Sequence, residues 1–199
     1  MSATVKQPRA DALRVALRLV EALQPYCHRI ELAGSLRRET PLVGDIEVVA
    51  VPLSRTDLFG YPVKGPTPLE AFLVGKGIEF TKNGDRYKQF KYGRHTVDLF
   101  LPTAATWGSI FAIRTGSWEF SRWLVTSRVR GGAAPEGVTF HDGRLYAFSR
   151  RLTTPEETDV FAALGLAFIE PRLRFGPADD PVCVEPVWNY DVNEEAVTP

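Results

Sequence analysis

Between residues 8 and 24 the apolar positions recur at helical spacing. Leu13, Leu17, Val20 and Leu23 fall on one side, with Arg14, Arg18 and Glu21 off it. Pro25 ends that helix. The period then falls to two. Ile30 and Leu32 alternate as a short strand that runs into Gly34, and Asp45 to Val51 reads as a buried strand. A loop rich in Pro, Gly and Ser spans 52–66. Thr67-Pro68-Leu69-Glu70 then makes a capping box with proline at the first helical position. The short helix that follows turns Leu69, Phe72 and Leu73 inward and stops at Gly75 and Gly77. A strand from Phe80 to Lys91 is interrupted at Asn83-Gly84. The chain turns at Tyr92-Gly93, and His95 to Leu101 runs back.

Pro102 divides the pattern in two. Beyond it, Ala104 to Arg114 is helical, with Trp107, Ile110 and Phe111 apolar, and Thr115-Gly116-Ser117 breaks the helix. Ser117 is placed to cap a second helix through Phe120 and Leu124. Val138 to Phe148 is a hairpin around Asp142-Gly143. Thr154-Pro155-Glu156-Glu157 is a second capping box, opening a helix through Leu164 that Gly165 closes. These elements predict an α+β protein: residues 1–102 as a mixed sheet flanked by helices, 103–175 as a small α+β subdomain, and 176–199 as an acidic, proline-rich tail. The tail is expected to be loosely held unless Trp188 and Tyr190 anchor it.

A chain of 199 residues can hold one domain or two small ones. No apolar run approaches the ~20 residues of a membrane span, and the N-terminus lacks the apolar core of a signal peptide. The expected location is the cytoplasm, and the expected state a monomer. The two cysteines, Cys27 and Cys183, match no metal spacing and read as free thiols. Zero net charge first argues against nucleic acid, but the distribution reverses this. Residues 1–103 hold 15 basic and 11 acidic side chains, 104–152 hold 7 and 3, and 153–199 hold 2 and 10. An acidic C-terminal segment hides a basic body.

The chemistry-bearing residues concentrate in Gly34-Ser35-Leu36-Arg37-Arg38 and Gly44-Asp45-Ile46-Glu47. Glycine lets a backbone N–H approach an anion, serine adds a hydroxyl donor, and arginine a charged fork. Asp45 and Glu47 share one strand face, and an oxygen-rich pair of carboxylates suits magnesium. Taken singly, these pieces also read as a glycine turn followed by a strand with two exposed acids. Asp98 lies among Val97, Leu99 and Phe100, where an unpaired carboxylate is costly to bury.

Together, Gly-Ser-x-Arg-Arg followed at fixed distance by Gly-Asp-Ile-Glu resembles the signature of family X DNA polymerases, the group of DNA polymerase beta, among the nucleotidyltransferases. Trp107-Gly108 … Arg114-Thr115-Gly116-Ser117-x-x-Phe120 and the run from Thr154 to Arg174 resemble that family's thumb, so the likeness covers about residues 28–175. It implies a palm and thumb without the N-terminal lyase module. It also implies transfer of a nucleotide from a nucleoside triphosphate to a DNA 3′-OH, in repair or gap filling, on primer-template or gapped duplex. The resemblance assigns Asp45, Glu47 and Asp98 to two Mg²⁺ ions, with Mn²⁺ as a possible substitute, and Asp98 to receiving the 3′-OH proton. It assigns Gly34, Ser35, Arg38 and Gly44 to the triphosphate, and Ile113, Arg114 and Gly116 to the rest of the nucleotide. Arg37 reads equally as a structural ion pair or a nucleotide contact.

Two departures stand out. Glu47 replaces the family's more usual Asp. Ile113-Arg114 replaces an aromatic pair that crowds the sugar 2′ position, which predicts measurable ribonucleotide incorporation. Lys88, Arg94, Arg122, Arg128 and Arg130 are the candidate DNA phosphate contacts. Of Trp118 and Trp123, one is expected in the core and the other is open to stacking on a base. The competing functions are a template-independent nucleotidyltransferase and a DNA-binding module with a weakened catalytic site.

Overall fold

The structure is a computed structural model that describes residues 6–55, 59, 63–177 and 185–191. The chain separates into two compact units, residues 1–102 and 103–199. Most of the loop at 56–62 and Cys183 lie outside the described residues.

In the first unit, strand β1 (Gln7–Pro8) leads directly into helix α1 (Arg9–Leu23), and β1 pairs with β3 (Leu42–Val43). The buried face of α1 is Ala12, Ala16, Leu19 and Leu23, not the stripe through Leu13 and Leu17, and Leu17 is 53% exposed. The correction has a steric reason. Small alanines let the helix lie close to the sheet, so the larger leucines end up on its flank. Strands β2 (Cys27–Leu32), β4 (Ile46–Pro52), β5 (Phe80–Asn83), β6 (Tyr87–Tyr92) and β7 (His95–Phe100) form one sheet in the order β2-β4-β7-β6-β5. β4 and β7 run parallel, and the other pairs are antiparallel.

Alternation gives this sheet two different faces. Ile46, Val48, Ala50, Phe90, Val97 and Leu99 join the buried residues of α1 and α3 (Pro68–Gly75) in one core. Asp45, Glu47, Thr96, Asp98 and Gln89 belong to the opposite set. The predicted capping box forms at α3: Thr67 N donates to Glu70 Oε2 at 2.7 Å, and Glu70 N to Thr67 Oγ1 at 3.2 Å. The Gly34 segment, expected as a turn, is a single helical turn, α2 (Gly34–Arg37), with Gly34 at φ +58°. Cys27 is a free thiol, pushed up to about 11 by burial.

In the second unit, a 3₁₀ turn over Ala104–Thr106 precedes α4 (Trp107–Thr115), so the expected helix begins in a tighter form. Ser117 caps α5 (Trp118–Val125) by accepting from Phe120 N at 3.1 Å. β8 (Val138–His141) and β9 (Arg144–Ala147) make the expected hairpin, with Asp142 and Gly143 both at positive φ. A third strand, β10 (Arg150–Leu152), extends the sheet through a two-residue turn at Phe148 and Ser149. Both turn residues are left-handed, at φ 48° and 69°. Phenylalanine and serine are unusual in such a turn, so the pattern gave no hint of it.

Helix α6 spans Glu157–Ala163, and its capping box is Glu156 with Asp159. The Thr154 box expected from the sequence is displaced by two residues, because Thr154 pairs through its backbone with Ala105 and Gly108. Residues 185–191 are held to this unit. Trp188 Nε1 donates to Ala163 O at 3.2 Å, Arg151 pairs with Asp191 at 3.4 Å, and Arg150 lies 4.1 Å from the Tyr190 ring centre. Trp188 and Tyr190 therefore anchor this part of the acidic tail.

Candidate active site and nucleic-acid contacts

The parallel pairing of β4 with β7 sets Glu47 directly opposite Asp98. Asp45 lies one residue before β4 and two before Glu47, so all three acids belong to one sheet face. The segment after β2 closes on the same place. Ala33 N donates to Glu47 O at 2.9 Å. A Cβ added at Gly34 would sit 1.6 Å from Glu47 Oε2, so the Glu47 carboxylate rests against the bare backbone of Gly34. Glycine is required here twice, by its positive φ and by this contact. Ser35, Arg38 and Gly44 are half-buried around this turn.

Asp98 is fixed by two donors from β6: Tyr87 Oη at 2.5 Å and Gln89 Nε2 at 2.9 Å, both to Oδ1. Neither Tyr87 nor Gln89 was singled out from the sequence. The signal was present, because a tight hairpin between β6 and β7 pairs Tyr92 with His95 and so brings Gln89 opposite Asp98. Asp45 has the opposite character. Its Oδ1 is buried with no hydrogen-bond partner. Burial raises its carboxyl above the ordinary value, and Asp98 raises it further, against a hydrogen bond with Thr96 and the charge of Lys91.

The three acids share one face of the sheet, with Glu47 opposite Asp98 and the charge of Asp98 felt at Asp45. Among the described residues no three carboxylate, imidazole or thiol side chains come together to hold a metal ion. Two of the carboxylates have a local contact of their own. Asp98 is turned to Tyr87 and Gln89, and the extra methylene of Glu47 carries its carboxylate to Gly34. The chemistry of the set fits a hard divalent cation: all donors are oxygens, one is an orphaned buried carboxylate oxygen, and burial followed by the charge of Asp98 raises the Asp45 carboxyl.

The candidate nucleotide contacts of the second unit cluster at the α4–α5 junction. Ile113 is half-buried against the core and Arg114 is exposed. Gly116 packs so closely that an added Cβ would meet Phe120 at 2.4 Å. Ser117 N donates to Arg174 O at 2.9 Å, and Ser117 Oγ to Phe175 O at 2.5 Å, which ties the junction to the end of the described core. Behind it lies Arg174, fully buried, paired at 2.5 Å with Glu157 and placed within 5.0–5.9 Å of the rings of Phe120, Phe161 and Phe168.

The candidate DNA contacts divide. Lys88 is 2% exposed, with Nζ held by Glu70 and Asn83, each at 2.6 Å; it is a structural ion pair and no surface contact. Arg128 is exposed but spends its guanidinium on Leu164 O at 2.6 Å and Ala133 O at 3.2 Å. Arg94, Arg122 and Arg130 are exposed. Of the two tryptophans, Trp123 is core and Trp118 is 70% exposed.

Residues 111–175 match the family model of the DNA polymerase beta thumb. The matched span runs from the second half of α4 to just past Arg174, so the second unit is similar to the thumb of that polymerase. Comparison with curated proteins finds no match for the chain. Among the described residues no helix is long and apolar enough to cross a membrane.

Proposed function

We propose that this protein is a nucleotidyltransferase of the family X DNA polymerase kind, with a palm in residues 1–102 and a thumb in residues 103–175. It adds a nucleotide from a nucleoside triphosphate to a DNA 3′-OH, in repair or gap filling. The observation that carries this reading is the register that sets Asp98 beside Glu47, with Asp45 on the same face and Gly34 against the Glu47 carboxylate. A chain that also carries a DNA polymerase beta-like thumb has a reason to hold three acids there.

In this reading Asp45, Glu47 and Asp98 hold two Mg²⁺ ions, or Mn²⁺ in their place. Bound there, the ions would polarise the phosphate oxygens and ease deprotonation of the 3′-OH. The Gly34–Ser35 backbone, the Ser35 hydroxyl, Arg38 and Gly44 bind the triphosphate. The 3′ oxygen attacks the α-phosphorus, the bond to the β-phosphate oxygen breaks, and pyrophosphate leaves. Asp98 accepts the proton, and Tyr87 and Gln89 hold its carboxyl in position.

One observation favours a second reading, a DNA-binding module with a weakened catalytic site: Glu47 stands where the family signature more usually has Asp, and its carboxylate rests against Gly34. Primer extension with and without template, in Mg²⁺ or Mn²⁺, separates these readings. Templated extension, reduced two to four orders of magnitude by Asp98→Asn, is expected. Addition without template assigns a terminal transferase instead. DNA binding with no extension in either metal overturns the catalytic reading.

A further inference from the structure

Trp118 is the largest exposed side chain on α5, and its surroundings are not those of an uncovered core residue. The guanidinium of Arg122, one helical turn on, lies 5.3 Å from its ring centre. Beside this pair opens a cleft of about 330 Å³, lined by Trp118, Arg122, Trp123, Thr126, Arg130 and Gly131 among others. That volume falls in the range of small-ligand sites, roughly 300–1,000 Å³. Among the described residues neither Arg122 nor Arg130 pairs with a carboxylate. Arg130 Nε is steadied by Ser127 Oγ at 3.1 Å. Among the described residues the one acid lining the cleft is Glu119, whose Oε2 lies 2.9 Å from Ser117 Oγ.

We propose that this cleft is a stacking site for one unpaired nucleotide of a DNA strand: its base lies on the Trp118 indole and its phosphate meets Arg122 and Arg130. An aromatic platform beside two cations is what a single strand requires, because every base has a π-face and every nucleotide a negative charge. A protein partner would need a broader apolar patch than one indole ringed by guanidinium groups. The proposal rests on the DNA-binding reading of the thumb and adds a preference for unpaired over paired DNA. It needs no catalysis.

The test is equilibrium binding of the full chain to a fluorescein-labelled blunt duplex, to the same duplex with an overhang of about ten nucleotides, and to that overhang made abasic. Wild type should prefer the base-bearing overhang. Trp118→Ala should weaken overhang binding about five- to a hundredfold, leave the blunt duplex unchanged, and match wild type on the abasic overhang. Trp118→Phe should restore most of the preference. Arg130→Gln should lower the salt dependence of overhang binding by about one unit of slope. Because Trp118 is exposed, the variants should fold as wild type, which circular dichroism checks. Equal losses on blunt and overhang DNA, or no loss on either, overturn the stacking site while leaving the thumb reading intact. Absence of binding to every DNA overturns both. Absence of primer extension alongside a normal overhang preference counts against the catalytic reading only.

Discussion

The two units treat buried charge in opposite ways. In the second, Arg174 is fully buried, and although its Nη2 makes no hydrogen bond, its charge is met by Glu157 at 2.5 Å, Ile169 O at 2.8 Å and three aromatic rings. In the first, three acids share a sheet face, Asp45 Oδ1 has no hydrogen-bond partner, and the Asp45 carboxyl is raised by burial and by Asp98. The same unit can satisfy a buried charge elsewhere. On the other face of the sheet, Lys88 is matched by Glu70, Asn83 and Gly84 O. A charge balanced inside the fold holds structure together, whereas an unbalanced cluster is a place for something the fold does not itself supply.

The comparison can be broken most directly at the balanced pair. Glu157→Ala should cost about 3–5 kcal/mol, because it leaves Arg174 buried without its carboxylate. Urea unfolding followed by tryptophan fluorescence measures it. A cost below about 1 kcal/mol would mean that the three rings and Ile169 O are sufficient alone. Replacing both partners, Glu157→Leu with Arg174→Met, should recover much of the loss.

The unbalanced face is tested at Gly34. Gly34→Ala should cost roughly 1–2 kcal/mol from its φ of +58° alone. It should also push Glu47 off its seat, since the new Cβ overlaps Oε2. Glu47→Asp shortens the side chain and should relieve that second part, so the double variant should be more stable than the sum of the two by about 0.5–1 kcal/mol. Strict additivity in thermal or urea unfolding would show that Glu47 is not pressed against this glycine.

The smallest effect is at Glu70. Burial raises its carboxyl, but the hydrogen bonds and charge of Lys88, together with the Thr67 bonds, outweigh burial and hold it below the ordinary 4.5. Its folded value is thus lower than its unfolded one. The ion pair contributes fully above 4.5 and is lost as pH falls toward the folded value. Glu70→Gln keeps the cap but removes the charge, and should cost about 0.5–1 kcal/mol at pH 7. Melting temperatures of the two proteins should converge as the pH drops below that window. A constant difference across pH would assign the effect to the cap.

Local patterns carried much of the fold. Thr67 and Glu70 formed the capping box their spacing predicts, Ser117 capped α5, and Asp142-Gly143 closed its hairpin, because each is decided by neighbours within a few residues. Where the expectation failed, a distant contact had intervened. Thr154 gave up its capping role to Ala105, and the leucine stripe of α1 yielded to alanines that fit the sheet. Lys88 was indistinguishable in sequence from a surface cation until α3 brought Glu70 over it.

By itself the sequence determined which residues have the chemistry that suits phosphate and cation, that Asp45 and Glu47 share a face, and that Asp98 lies on a strand of period two, since alternation is a property of the strand alone. Only the tertiary structure decided that Glu47 faces Asp98, that Gly34 receives the Glu47 carboxylate, and that Asp98 is held by Tyr87 and Gln89. The reason is that β4 and β7 pair in parallel across about fifty residues. No turn fixes such a register; it is set by which apolar face of each strand packs on α1 and α3.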